Sequence, residues 1–201
     1  MNHELPPGDV RDRIFASALR HFSQKGYAAT SLREISQDAG TTKPMIYYYF
    51  GSKDELYGSI VREILEEMAI SIRGYIDAAA PALDQARAYC RRYVSHFLAH
   101  EDSIALVLRE VFGLGGQPMA AFANALAARV RQPLDAVLRA GMEHGELRPS
   151  EPETCAIAIT GILNMFILAH VFGGLPMNPQ RPLEQVEFYL QGIALDPGDP
   201  L

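Results

Sequence analysis

Residues 26–56 read GYAATSLREISQDAGTTKPMIYYYFGSKDEL, and glycines at 26, 40 and 51 cut the stretch into two short segments. A glycine just past a run of helix formers is a common left-handed stop, so each of the three marks a helix end. Ser31 with Glu34, and Ser52 with Glu55, are S-x-x-E pairs that open helices by reciprocal capping. Thr42 stands where a third cap is needed, and Pro44 falls in the following first turn, where its missing N–H costs little. The stretch therefore predicts a helix over 31–39, a tight turn at Gly40 and a second helix over 42–50. Two short helices about such a turn form a helix-turn-helix, whose second helix reads the DNA major groove with its N-terminal side chains.

The pattern extends outward in both directions. Asp9 can cap a helix over 10–25, with Ile14, Phe15, Ala18, Leu19 and Phe22 on one stripe. Ser52 opens a long helix that could run to about Ala79, and Pro81 precedes another over 82–100. A shorter helix at 102–112, the loop GLGGQP at 113–118 and a helix at 119–143 follow, the last with Pro133 inside it and expected to bend there. EHGELRPSEPE reads as a turn, then come an apolar helix over 153–173, the loop GGLPMNPQRP, a final helix over 182–194 and a frayed tail, DPGDPL. The expected fold is all-α with about nine helices. Residues 1–52 would form the three-helix DNA-binding domain and 53–201 a helical ligand-binding and dimerisation bundle.

Composition limits the partners. The 201 residues carry 18 Lys+Arg against 24 Asp+Glu, a net charge of -6, which excludes a uniformly basic nucleic-acid binder. Residues 1–60 hold seven basic and seven acidic side chains, so the excess negative charge lies beyond them. Cys90 and Cys155 form no CxxC pair and read as buried or inert thiols of a reducing compartment. The first ten residues have neither the basic nor the apolar region of a signal peptide. No charged residue occurs over 154–180, a length that matches a bilayer crossing, yet Asn164 and His170 interrupt it. A helix buried on all sides, in a bundle or at a subunit interface, explains the same pattern, and a cytoplasmic protein outside the membrane is expected.

The residues Gly26, Thr30, Ile35, Ala39, Gly40, Lys43, Tyr47, Phe50, Lys53 and Leu56, at these spacings, closely resemble the DNA-binding domain of the TetR family of transcriptional regulators. Beyond residue 60 only the helical layout agrees, including a GxxxGxLRP turn at 141–149. The resemblance implies phosphate contacts from Tyr47 and Tyr49 and a groove-facing Tyr48. By position, Ile46 and Phe50 share one helical face and belong to the core. Lys43 and Met45 face outward as base-edge readers, Met45 toward a thymine methyl, with a phosphate clamp the alternative for Lys43. Thr42 is first a cap and second a DNA donor. Thr30, Ser31 and Arg33 begin the helix that crosses the backbone, and Lys53 begins another; helix N-termini suit phosphate oxygens, a solvated lysine being the other reading of Lys53. Pro44 departs from the glycine frequent in relatives, and the N-terminal arm lacks the basic pairs that reach a minor groove.

For the second part the resemblance implies a small-molecule effector that releases the protein from a palindromic double-stranded DNA operator. Tyr93, Phe97 and Phe112, with Tyr89 and Phe122, supply apolar surface, and His96, His100 and Asn164 possible polar anchors, each with ordinary core packing as the alternative. Such a lining favours an apolar or aromatic ligand. His96 and His100 lie at i, i+4 but lack a third ligand in sequence, so no metal and no cofactor are expected. No nucleophile elbow, P-loop or dinucleotide fingerprint occurs, and an enzyme reading has no chemistry to stand on. One helix-turn-helix covers one half-site, so a homodimer is expected through the last two helices, with Ile157, Leu168, Phe188 and Leu190 as contacts and Gly161 permitting close approach. The competing class, a helical ligand-binding module whose helix-turn-helix is inactive, would not bind a palindromic duplex in a salt-dependent way.

Overall fold

The computed structural model describes residues 9–74, 76–111 and 120–195, the side chains of 109–111 and 120–127 excepted. The N-terminal arm, Phe112, the side chain of Phe122, the GLGGQP loop and the DPGDPL tail lie outside the described residues. Nine helices run through the described residues: α1 Val10–Ala29, α2 Leu32–Asp38, α3 Lys43–Phe50, α4 Lys53–Arg73, α5 Ala82–Ala99, α6 Glu101–Val111, α7 Ala120–Glu143, α8 Pro152–Val171 and α9 Gln180–Ile193. The all-α expectation holds. They fall into two compact units, one built from the described parts of 1–64 and 102–124, the other from 65–101 and 125–195.

The first unit condenses around apolar residues at helical spacing. Ile14, Ala18 and Phe22 of α1, Ile35 of α2, Ile46 and Phe50 of α3, and Leu56, Tyr57 and Ile60 of α4 are all buried. α2 packs on α1 and α3. Polar ties fix the register: Ser17 donates to Asp38 at 2.7 Å, Arg20 reaches the same carboxylate oxygen at 2.7 Å, and Arg13 Nε donates to the carbonyl of Ala39 at 3.2 Å. The Ser17 hydrogen bond, with Arg20 behind it, holds the Asp38 carboxyl below its ordinary pKa. The Ser31–Glu34 capping box forms in both directions. Gly26 does interrupt α1, at φ 78°, a conformation that strains any residue with a Cβ, but one further turn follows before Thr30. Asp9 and Thr42 occupy N-cap positions without the side-chain bond expected of them.

In the second unit α9 packs against both α5 and α8. Its core draws on Ala86, Tyr89 and Phe97 of α5, Leu134 and Leu138 of α7, Ile159, Leu163 and Ile167 of α8, and Leu190 of α9. Cys90 and Cys155 are free and buried, and burial pushes the Cys90 thiol up to about 12, so it is inert. The GxxxGxLRP turn works as a clasp. The Glu146 carboxylate accepts from the Ala82 N–H at 2.7 Å, occupying the dipole-positive end of α5, and Leu147 pairs with Ala194 in an isolated bridge.

Three expectations need correction. α4 stops at Arg73, just before Gly74, rather than near Ala79; further on, the Asp77 carboxylate accepts from the Ala79 N–H at 3.0 Å. α8 is not buried on all sides within its own chain, as the bundle alternative required: Cys155, Ala156, Ile159, Leu163 and Ile167 face inward, while Ile157, Gly161 and Met165 are exposed. Leu190, expected at a subunit contact, is completely buried within its own chain.

Candidate DNA-binding surface

The turn between α2 and α3 is closed by backbone bonds from Gly40 to Gln37 at 3.2 Å and from Thr41 to Ser36 at 2.9 Å. With Ile46 and Phe50 anchored inward, the opposite face of α3 must point to solvent. Thr42 and Lys43 are exposed, Tyr47 and Tyr48 are 53% and 79% exposed, and Met45 and Tyr49 are half-buried. The Tyr48 and Tyr49 rings meet edge to face at 5.1 Å. An exposed tyrosine pair on a short, well-seated helix is a rigid contact surface with two hydrogen-bonding tips.

Around α3, the expected phosphate-contacting residues differ in what they have free. Arg33 and Lys43 are exposed. Ser31 is exposed but engaged: its N–H and hydroxyl both bond Glu34 Oε2, at 3.0 and 2.9 Å, where a phosphate oxygen would otherwise sit. Lys25 pairs with Glu34 at 2.7 Å and, with the Ser31 bonds, brings that carboxyl down to about 2. Thr30 is 2% exposed, and its hydroxyl donates to the Gly26 carbonyl at 2.8 Å, so this side chain closes the α1 kink. Lys53 lies 4.1 Å above the Tyr27 ring and donates to the Tyr27 carbonyl at 2.6 Å. Partial burial lowers its pKa. Neither sequence alternative for Lys53, clamp or solvated side chain, included this tie to Tyr27. Tyr27 itself was missed, because no periodicity links it to a residue 26 positions away across a kink.

Of the expected ligand residues, Tyr93, His96, Phe97, His100 and Asn164 lie in the second unit, and Phe112 lies outside the described residues. The Tyr93 hydroxyl donates to Asn164 Oδ1 at 2.6 Å, joining α5 to α8, and burial pushes Tyr93 up to about 12. Phe97 is fully buried, and its ring stands edge-on to His170 at 6.1 Å. His96 is buried and His100 exposed, their rings 4.6 Å apart. Burial, then His100 and Arg92, push His96 down to about 4. Among the described residues no group of three His, Cys, Asp or Glu is placed to hold a metal. A groove of about 350 Å³ between α4 and α7 is lined by other residues, among them Leu65, Ile70, Arg73 and Arg129. A cavity of about 190 Å³ lies between α5 and α9 beside Arg87, Cys90 and Glu187. Sequence reasoning placed none of these in a ligand site, since each lies where two helices meet.

Comparison with known proteins places this surface in a family. Residues 14–60 match the model for bacterial regulatory proteins of the tetR family, and residues 79–167 match the tetracyclin repressor-like C-terminal domain. The chain is 24% identical over 139 residues to the HTH-type transcriptional repressor KstR2 of Mycobacterium tuberculosis H37Rv, covering 69% of this chain and 70% of that one. It is 28% identical over 143 residues to the HTH-type transcriptional regulator RutR of Escherichia coli K12, covering 70% and 65%. Among solved structures, the TetR family transcriptional regulator PfmR from Thermus thermophilus superposes with a TM-score of 0.71 at 26% identity, over 90% of this chain and 98% of that one. The fold of a fatty acid degradation regulator, FadR from Bacillus halodurans, is also shared, with a TM-score of 0.74 at 19% identity. The two matched segments, the helix-turn-helix geometry and these relatives agree: the chain belongs to the TetR family of transcriptional regulators and carries that family's DNA-binding helix-turn-helix.

Proposed function

We infer that the protein is a transcriptional repressor that binds a palindromic operator as a homodimer, in the cytoplasm, and leaves it when a small molecule binds the second domain. The carrying observation is the outward face of α3, where Lys43, Tyr47 and Tyr48 stand exposed on a helix whose other face is locked into the core. In this reading residues 1–52 form the DNA-binding domain and 53–201 the ligand-binding and dimerisation domain. Lys43, Met45 and Tyr48 read base edges. Arg33, Tyr47, Tyr49 and Lys53 fix the register on phosphates, helped by Thr30, Ser31 and Thr42 through the backbone around them. No catalytic step and no cofactor belong to this reading.

Two-fold symmetry follows from operator geometry, and the apolar strip of Ile157, Met165 and Phe188, each at least half exposed, supports α8 and α9 as the pairing elements. Tyr93, His96, Phe97, His100 and Asn164, with Phe112, are the proposed effector contacts, and their mixed character suits an apolar or aromatic molecule with one hydrogen-bonding group. Release requires only that the effector bind the DNA-incompetent state more tightly; a coupling of about 1–3 kcal/mol is typical. The test is binding to palindromic duplexes selected from a random pool, as a function of salt, followed by a thermal-shift ligand screen and operator release at saturating hit. Absence of salt-dependent duplex binding overturns the DNA reading. A tight ligand that leaves operator affinity unchanged overturns the induction reading, because equal affinity for both states shifts nothing.

A further inference from the structure

At the first turn of α4, five side chains form one assembly that the DNA contacts alone do not require. The Tyr27 ring stacks on Phe22 at 5.9 Å and meets Tyr57 edge-on at 5.0 Å, which fixes one of its faces inward. Its hydroxyl donates to Asp54 Oδ1, and Lys53 sits over the ring and on the Tyr27 carbonyl. The positive φ of Gly26 brings Tyr27 round to this place, at the head of the one extra turn of α1. Lys53 and Asp54 are consecutive residues, so their side chains leave the helix about 100° apart, and Tyr27 engages both. A flexible lysine ordinarily gives up side-chain entropy when it meets a phosphate. Here the ammonium is already held at a helix N-terminus by a carbonyl and a π face, with donor capacity left for an incoming anion.

We propose that Tyr27 is a positioning residue for DNA binding: anchored by its hydroxyl to Asp54, it holds the Lys53 ammonium at the N-terminus of α4 ready for an operator phosphate. This rests on the DNA-binding reading above and adds a role for two residues, Tyr27 and Asp54, outside the expected contact set. It also reverses the sign that simple electrostatics gives Asp54. An exposed carboxylate beside a phosphate should weaken binding, and its removal should strengthen it. As the anchor of Tyr27, Asp54 instead favours binding.

The experiment compares wild type, Tyr27→Phe, Asp54→Ala, the double variant and Lys53→Ala on one selected operator across salt concentrations, with thermal melts as a folding control. Tyr27→Phe keeps the ring and the core stacking and removes only the hydroxyl. Both single variants are expected to bind roughly three- to tenfold more weakly, the range a lost hydrogen bond supports. Their salt slopes should flatten toward that of Lys53→Ala, which loses about 0.9 per phosphate contact. The double variant should be no weaker than either single one, because both cut the same bond. A wild-type slope and affinity in Tyr27→Phe, or tighter binding by Asp54→Ala, overturns the proposal while leaving the DNA-binding reading intact. Failure of wild type to bind any duplex overturns the reading itself.

Discussion

On the proposed pairing through α8 and α9, replacing Phe188 by glutamate should turn a dimer into a monomer without unfolding the chain. Phe188 lies on α9 with 70% of its surface exposed, whereas Val186 and Leu190 on either side of it point inward and hold α9 to α5 and α8. An aromatic side chain carries about 150–250 Å². If a partner copy covers half of what Phe188 exposes, about 70 Å² leaves water, worth about 2 kcal/mol per copy at the coefficient for apolar burial. Two-fold symmetry counts every contact twice, so the substitution removes about 4 kcal/mol, close to a thousandfold in the dimer dissociation constant. Two carboxylates facing a low-dielectric seam add to this. Sedimentation velocity between 0.1 and 50 µM (roughly the range that resolves such a shift) reads the outcome directly. Ile70→Glu serves as the control: Ile70 is also 70% exposed, but on α4. An unchanged dimer constant for Phe188→Glu, or equal losses in both variants, would refute the assignment of the interface to α8 and α9.

Lys43→Ala and Tyr48→Ala should each cost about 1–3 kcal/mol of operator binding and relax specificity at one base position, with unchanged melting because both side chains are exposed; wild-type affinity in both would point to another helix as the reader. Gly141→Ala should lower stability by about 1–2 kcal/mol in denaturant titration: the new methyl would lie 2.6 Å from Ala82 Cβ, which has no rotamer to escape into, and the overpacking cost exceeds the helix-propensity gain. His96 gives a pH dependence of definite sign. Its folded pKa, about 4, lies below the ordinary 6.5, so the unfolded chain takes up the proton first and stability falls as pH drops from 6.5 to 4. His96→Gln should melt with a shallower dependence over that window, and an identical pH profile for variant and wild type would show that His96 is not the group responsible.

How much was legible in the sequence depends on how local the determining interaction is. The capping box at Ser31 and Glu34 and the glycine at 40 act within three or four residues, so the helix-turn-helix could be read to within a residue or two. The end of α4 was missed because the helical pattern runs on past Gly74, a poor helix former, toward Ala79. The places of Thr30 and Lys53 at helix starts could be read, but not that Thr30 bonds the His21 carbonyl nine residues back or that Lys53 bonds Tyr27, 26 residues away. Leu190 and Phe188 show the same limit on a helix face. Period 3.6 groups α9 residues into faces but does not say which apolar face meets its own chain. On α8 the period is nearly silent, because residues all around that helix are apolar, those exposed such as Ile157 and Met165 as much as those buried such as Ile159 and Leu163.

The equal count of seven cations and seven anions over residues 1–60 lets this part approach a phosphate backbone but, as bare arithmetic, supplies no net attraction to it. The structure sorts those charges by what they are bonded to. Asp38 is occupied by Ser17 and Arg20, Glu34 by Ser31 and Lys25, and Asp54 by Tyr27; each carboxylate is spent on holding α1, α2 and α4 in place. Asp38 and Glu34, each paired with a cation, are thus offset inside the domain by the bonds that set its geometry. Arg33 and Lys43 remain exposed on the two helices of the motif, and no carboxylate among the described residues is bonded to either. Net charge therefore misjudges such a domain, because charges already paired contribute little field at a distance of a Debye length, while two or three unpaired cations beside exposed tyrosines set the attraction a phosphate meets on contact.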